Sequence, residues 1–271
     1  MTTRTAWIDG IALWAPLRPG WDVARAVLRG DAPPPSTPAG RPAPPLLAPT
    51  ERRRAPDTVA VALEVALRAC ESAARDPKTL PSVFASTHGD LTISDYMCET
   101  LAKTPTLISP VRFHNSVHNA AAGYWTIGTG CMRPYTSLTA FEHSFGEALL
   151  EGLVMAESEQ EPVLVVAYDI AARGPMATMV PSRSLLGAAL VISPSEGPAA
   201  RARVDWDVVP RPRAASTPAV PRNAALVEGN AMAGCLAVFE ALAGDLAEQV
   251  VQTLGPDLAL DLKIIPVTRA E

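Results

Sequence analysis

The stretch "TSLTAFEHSFGEALLEGLVMA", residues 136 to 156, runs from a short β-branched strand into an amphipathic helix with only Thr139-Ala140 between them. So abrupt a strand-to-helix turn puts the next residues at the positive end of the helix dipole, where many acyl-transfer enzymes keep a nucleophile. Here the corner carries Phe141, Glu142 and His143. It has the build of a catalytic elbow without an ordinary nucleophile.

The flanks supply the rest of a layered fold. Downstream, "EPVLVVAYDIA" (161 to 171) is a continuous apolar run of the kind found in strands covered on both faces, and "GAALVISP" (187 to 194) reads the same way. "ARVDWDVV" (202 to 209) alternates and is expected to be an edge strand. Upstream, "PSVFAST" (81 to 87) predicts a buried strand leading through His88-Gly89-Asp90 into a helix, "LTISDYMCETLAK". "DTVAVALEVALRACESAARDP" (57 to 77) predicts a largely buried helix with Asp57 as its N-cap, and "SPVRFHNSVHNAAAGYWTIGTG" (109 to 130) a loop followed by a small-residue helix. "AWIDGIALWAP" (6 to 16) reads as a strand, and "GWDVARAVLRG" (20 to 30) as a helix stopped by Gly30. Strands alternating with helices predict an α/β fold around a central mixed sheet.

Two regions break the alternation. Residues 31 to 56 are so rich in proline that they are expected to lack regular structure and to run over the surface. Beyond Pro210, "RPRAASTPAVPR" is loop-like, "GNAMAGCLAVFEALAGDLAEQVVQTL" (229 to 254) is expected to be helical apart from its glycines, and "DLALDLKIIPV" gives a last strand.

Composition narrows the function. Of 271 residues 48 % are apolar and 19 % charged, with a formal net charge of -5 and the two signs interspersed, which leaves no footprint for nucleic acid. Cys70, Cys98, Cys131 and Cys235 lie far apart, with no CxxC pair, so reduced thiols are expected in place of a zinc site or disulfide framework. His114 and His118, four apart, could share a helix face but have no third ligand, so no metal is expected. There is no apolar signal core and no run of about 18 apolar residues, so a cytoplasmic protein without a membrane span is expected.

Taken in order, several stretches resemble the ketosynthase branch of the thiolase fold. "WIDGIALWAPLRPGWDVARAVLRGDAP" is similar to that family's first strand, helix and glycine turn, and "SPVRFHNSVHNAAAGYWTIGTG" to its "P...N..AG" segment. "RPYTSLTAFEHSFGEALLEG" resembles the "GP..T.STAC.SG..A...A" elbow, and "LLGAALVISPSEGPAARARVDW" the "GAGA.VLE...A..RGA" hairpin. The resemblance implies one domain over residues 1 to 271, with an N-terminal-type half at 6 to 206 and a second half reduced to a helix and a strand at 222 to 271. "HNAAAGYW" and the short length further resemble small chain-length-factor-like proteins found beside true ketosynthases in bacterial aryl polyene and pigment pathways. That likeness implies a heterodimer in which a β-ketoacyl synthase partner condenses, the small subunit shapes the pocket, an acyl carrier protein is met indirectly, and no cofactor is used.

Against that family this chain has losses. A ketosynthase takes its acyl chain on an elbow cysteine, because a thiolate is the nucleophile able to accept a thioester at neutral pH. Here the position falls on Phe141 or Glu142, and Cys131 lies about ten residues early. All four histidines, His88, His114, His118 and His143, lie in the first 143 residues. Where the family has "GH...GAAG", this chain reads "EGNAMAGCLAVFEAL", which places Asn230 at the histidine. The shortened second half is expected to leave apolar surface uncovered and to require a partner. The family pairs N-terminal halves across a common sheet, which implies that His88, Leu91, Thr92 and Asp95 lie near the dimer junction, with Phe113 and Tyr124 as bulky neighbours. The rival reading is a stand-alone acyltransferase or thioesterase using Glu142, His143 and Ser144, although neighbouring helix positions point apart. Arg52-Arg53-Arg54 reads as a solvated run that could also meet an acidic carrier surface.

Overall fold

The computed structural model describes residues 4–180, 182–211 and 229–267. The chain opens with β1 (Arg4–Ala15), a two-residue β2 (Arg18–Pro19) and α1 (Trp21–Arg29), which ends on Gly30 in the left-handed conformation that Gly adopts at helix C-termini. Next come α2 (Pro49–Arg54), α3 (Asp57–Ser72), β3 (Ser82–Ala85), α4 (Leu91–Lys103), α5 (Pro110–His114), α6 (Ala120–Thr129) and β4 (Tyr135–Leu138). The second half of the chain holds α7 (Ser144–Glu159), β5 (Val163–Asp169), β6 (Leu186–Ser193), β7 (Ala202–Pro210), α8 (Leu236–Ala243), β8 (Glu248–Thr253) and β9 (Leu258–Pro266).

The strands form one mixed sheet in the order β4-β3-β5-β6-β1-β7-β9-β8, with β2 paired to β1. β3 is parallel to β4 and β5; every other pairing is antiparallel. Alternate residues of each central strand feed opposite cores. Leu164, Val166 and Tyr168 of β5 pack with α3 and α6, while Val163, Val165 and Ala167 pack with α7, α8 and α1. That double burial is why these strands read as unbroken apolar runs.

α7 is enclosed by the sheet itself. On one flank its Gly152 lies so close to β5 that an added Cβ would sit 2.3 Å from Val165 Cγ2; on another, Gly146 abuts the carbonyl of Thr253 in β8. β5 and β8 stand five places apart in the sheet, so the sheet wraps around the helix. The Gly146 flank of α7 is covered by β8 and the segment that follows it. Gly152→Ala tests this packing. Alanine would gain up to about 1 kcal/mol of helix propensity, but crowding a filled core costs about 1–3 kcal/mol, so a net loss of stability in denaturant unfolding is expected.

Four local expectations are corrected. Residues 248 to 253 form a strand because "EQVVQT" buries alternate residues, Val250 and Gln252, and the helix stops at extended Gly244. β7 is internal, between β1 and β9; the sheet edges are β4 and β8. The proline-rich excursion contains α2, since Pro49 at a first helical turn forfeits no hydrogen bond, and it is pinned by buried Leu47 and Ala55. α3 begins on Asp57 itself, with Pro56 at the cap position. The loop reading of residues 211 to 222 lies, apart from Arg211, outside the described residues. Among the described residues no helix is long and apolar enough to cross a membrane, and no cluster of three potential metal ligands occurs.

Candidate functional site

β3, β4 and β5 run parallel, so the segments leaving their C-terminal ends meet on one side of the sheet. In open α/β sheets this is where ligand sites are built. The turn after β4 is the corner read from sequence. Ala140 (φ −146, ψ 39) leads into Phe141, whose φ of 51 is a region bulky side chains rarely occupy. Phe141 projects its ring outward, 74 % exposed.

Hydrogen bonds from three sides fix this corner. Ser144 Oγ donates to Phe141 O (2.7 Å) and accepts from Ala140 N (2.9 Å). Thr87 Oγ1 also donates to Phe141 O (3.3 Å), and Thr139 Oγ1 donates to Thr87 O (3.0 Å). The Thr87 loop is itself tied to Asp169, at the end of β5, which accepts from Ser86 Oγ (2.7 Å), Thr87 N (2.9 Å) and His88 N (3.3 Å). Burial raises the Asp169 carboxyl above its ordinary range, opposed by the hydrogen bonds from Thr87, Ser86 and His88. His118 Nε2 meets Ser86 O at 2.9 Å. It lies beyond the end of α5, so His114 and His118 do not share a helix.

Several of the side chains singled out from the sequence are engaged in structural hydrogen bonds or lie away from the corner. Ser144 is 1 % exposed, and its hydroxyl is committed to two backbone partners. Glu142 Oε1 lies 3.8 Å from His143 Nε2, with the carboxylate in solvent. Asn230 is buried; its amide donates to Asp169 O (3.1 Å) and Ser184 O (2.8 Å), and its oxygen accepts from Met232 N (2.8 Å). Both its donors are used in joining the C-terminal segment to the sheet. Cys131 lies before β4, at the opposite end from the corner, its Sγ against Leu80 O. Burial pushes the Cys70 thiol up to about 12 and raises Cys235 too. Only Cys98 is exposed, so one thiol per native chain should react rapidly with a disulfide reagent at neutral pH, rising to four in denaturant.

The six residues expected at a junction fall in two places. His88 is held through its backbone on Asp169, Leu91 is buried, the Thr92 hydroxyl is enclosed without a partner, and Asp95 packs against Gly174. Phe113 and Tyr124 instead line a groove of about 940 Å³ between α5, α6 and the excursion residues Leu46 and Leu47. Burial raises the Tyr124 phenol. Arg52 donates to Leu47 O, whereas Arg53 and Arg54 are exposed on α2. Sequence reasoning missed Asp169 and the edge character of β4. A carboxylate closing an apolar strand was the available signal for the first.

β4 is open along one side. Ser82 N donates to Pro134 O and Ser86 N to Leu138 O, so the even-numbered residues turn their backbone groups to β3, and Tyr135 and Ser137 turn theirs outward. Phe113, Val117 and Ile127 are exposed on the groove between α5 and α6, and Met132 is exposed shortly before β4.

The family described as "Beta-ketoacyl synthase, N-terminal domain" matches residues 25–246, most of the chain. This chain belongs to the beta-ketoacyl synthase family. No curated protein sequence matches it, so structures carry the comparison further. A chain of the ketosynthase (ApeO) in complex with its chain length factor (ApeC) from Xenorhabdus doucetiae superposes with a TM-score of 0.71 at 20 % identity, covering 96 % of this chain and 99 % of that one. A chain of the ishigamide ketosynthase/chain length factor gives 0.72 at 15 % identity, covering 97 % and 100 %. Ketosynthase twelve of the bacillaene polyketide synthase from Bacillus amyloliquefaciens gives 0.57 at 14 %, covering 79 % of this chain but 46 % of its own. The fold is thus the thiolase-like ketosynthase fold, shared end to end with ketosynthase-like chains of about this length.

Proposed function

We propose that the chain is a non-condensing, chain-length-factor-like subunit that pairs with an active β-ketoacyl synthase and shapes the pocket for a growing polyketide, polyene or fatty-acyl chain. The corner carries this reading. In a fold built to present a thiolate, it presents the Phe141 ring, while Asn230 is consumed in backbone hydrogen bonds. A stand-alone hydrolase is disfavoured by the burial of Ser144.

The open β4 edge, whose four residues carry no charge, is the natural place for the partner's equivalent strand, since exposed edges are otherwise liabilities. We read residues 1 to 271 as one domain acting in the cytoplasm, with the carrier protein delivering its cargo to the active partner. His88, Leu91, Thr92, Asp95, Phe113 and Tyr124 remain the proposed junction residues. A methylene that does not fit a closed pocket costs about 1–3 kcal/mol, enough to bias where elongation stops.

The test is reconstitution with the ketosynthase encoded beside this chain. A stoichiometric complex, with condensation of carrier-bound substrates only when both subunits are present, is expected. Acylation of the isolated chain by a carrier-bound thioester, with release of a lengthened product, would overturn the proposal.

A further inference from the structure

Another cavity lies at the end of the sheet opposite the corner. α3 starts beside the corner loops, where Thr58 Oγ1 donates to Asp90 Oδ2 (2.8 Å), and it ends at Ser72, ahead of β3. Against that far end is a hollow of about 770 Å³, walled by α1, the turn after α3, the loop before β7 and the end of α8. The charged groups on its wall are the guanidinium groups of Arg25, Arg75 and Arg201 and a single carboxylate, Asp245. On a chain of formal net charge -5, so cationic a wall is a local feature.

The fold orients these arginines without fully answering their charge. Arg201 is locked between strands, its N–H donating to Ile8 O of β1 (2.8 Å) and its carbonyl accepting from Val267 N beyond β9 (2.8 Å). Its side chain donates to two neutral carbonyls, Nε to Asp9 O (3.3 Å) and Nη2 to Ser72 O (3.1 Å), and among the described residues it makes no ion pair. Arg75 follows the left-handed Ala74 (φ 52) and reaches back to Asp9 Oδ2 (3.3 Å), an oxygen of a buried carboxylate that Ser193 Oγ already engages (2.5 Å). Arg25 stands 3.5 Å from Asp245 Oδ1, which Arg29 Nη1 holds more closely at 2.6 Å. The rest of the wall is largely apolar, with Ile11, Leu242 and the partly buried Trp21. Ile11 and Trp21 continue into an adjoining cleft of about 560 Å³, which Trp14 also lines.

We infer that this cavity binds a phosphate monoester with an aromatic or apolar body, its head among Arg25, Arg75 and Arg201 and its body over Trp21 and Ile11 toward the adjoining cleft. Guanidinium forks match phosphate oxygens in paired hydrogen bonds, and such charge-assisted bonds are the strong ones. A phosphate monoester carries about two negative charges at pH 7, which is the excess of the lining arginines over Asp245. Indole and aliphatic walls accept the faces of a flat or apolar body, while a few fixed polar groups set its orientation. The site stands apart from the corner and is independent of the subunit reading.

The probe is 1-naphthyl phosphate, titrated calorimetrically into the full chain at low salt, with 1-naphthol as the body alone and inorganic phosphate as the head alone. Saturable one-to-one binding of 1-naphthyl phosphate is expected, with both fragments weaker. Arg201→Gln and Arg25→Gln should each weaken it about 10-fold or more, the worth of a lost charge-assisted hydrogen bond. Arg53→Gln, exposed on α2, should leave it unchanged. Circular dichroism checks each variant; Arg25, half exposed, can be changed without disturbing the bonds that Arg201 makes to β1 and α3. Absence of saturable binding overturns the site. Equal binding of 1-naphthol overturns the anionic head, and equal binding of inorganic phosphate overturns the body. Wild-type affinity in both Arg25→Gln and Arg201→Gln reduces the arginines to caps on helix ends, and an equal loss in Arg53→Gln reduces the binding to bulk charge; either result overturns the assignment.

Discussion

Replacing Asp169 by alanine is expected to cost about 3–4 kcal/mol of folding stability, a large share of what a domain of this size possesses. The carboxylate is 1 % exposed and accepts from Ser86 Oγ, Thr87 N and His88 N. Without it at least two enclosed donors are left bare, each at about 1–3 kcal/mol. Thr87 would lose its anchorage, and with it the bonds to Phe141 and Thr139, so the corner should loosen as well. Asp169→Asn keeps an acceptor of similar shape and should cost less. The pH dependence has a definite sign. Burial raises the carboxyl in the folded state, so the folded chain holds this proton more tightly than the unfolded chain. This group's contribution to stability is therefore largest below the unfolded carboxyl range, and it falls as pH rises through the window up to the raised folded value. Denaturant unfolding of wild type and Asp169→Asn across that window checks it: the downward slope with pH should be smaller in the variant.

The second large effect concerns the partner. Ser137→Pro should leave the fold nearly intact and weaken the ketosynthase complex at least 100-fold, about 2.7 kcal/mol. The Ser137 N–H points to the open edge, so proline there removes no hydrogen bond to β3. It would remove a donor that edge pairing needs and place a ring where the partner strand must approach. Thr136→Pro supplies the contrast, because its N–H faces β3, and it should destabilise the free chain. Circular dichroism and co-purification together separate the two outcomes; full binding by Ser137→Pro would remove β4 from the interface.

The sequence was most legible where burial is simplest. The runs at β5 and β6, the amphipathic α3 and the strand-to-helix corner were all placed, because covered strands are uniformly apolar and core helices keep a wide apolar face. Legibility failed where tertiary context outweighs pattern. "EQVVQT" follows an Ala-rich helix and has tolerable helix propensity, and only pairing with β9 makes it a strand. β7 looked like an edge because Arg203, Asp205 and Asp207 alternate with its apolar residues, yet the sheet continues past it. At the corner, spacing left Phe141 and Glu142 as alternatives; the positive φ shows that Phe141 takes the strained position. The network on Asp169 joins residues 86 to 88, 141 and 230. No local pattern reports such a union.

The enclosure of α7 has a consequence for how the polypeptide is made. Gly146 comes to rest against Thr253, a residue the ribosome adds more than one hundred steps later. Until those closing strands emerge, an oily helix flank must wait unclothed, and nascent chains in that condition are prone to clump or to be held by chaperones. Yields of soluble protein should therefore respond to damage in β8 and β9 more sharply than their distance from the corner would suggest.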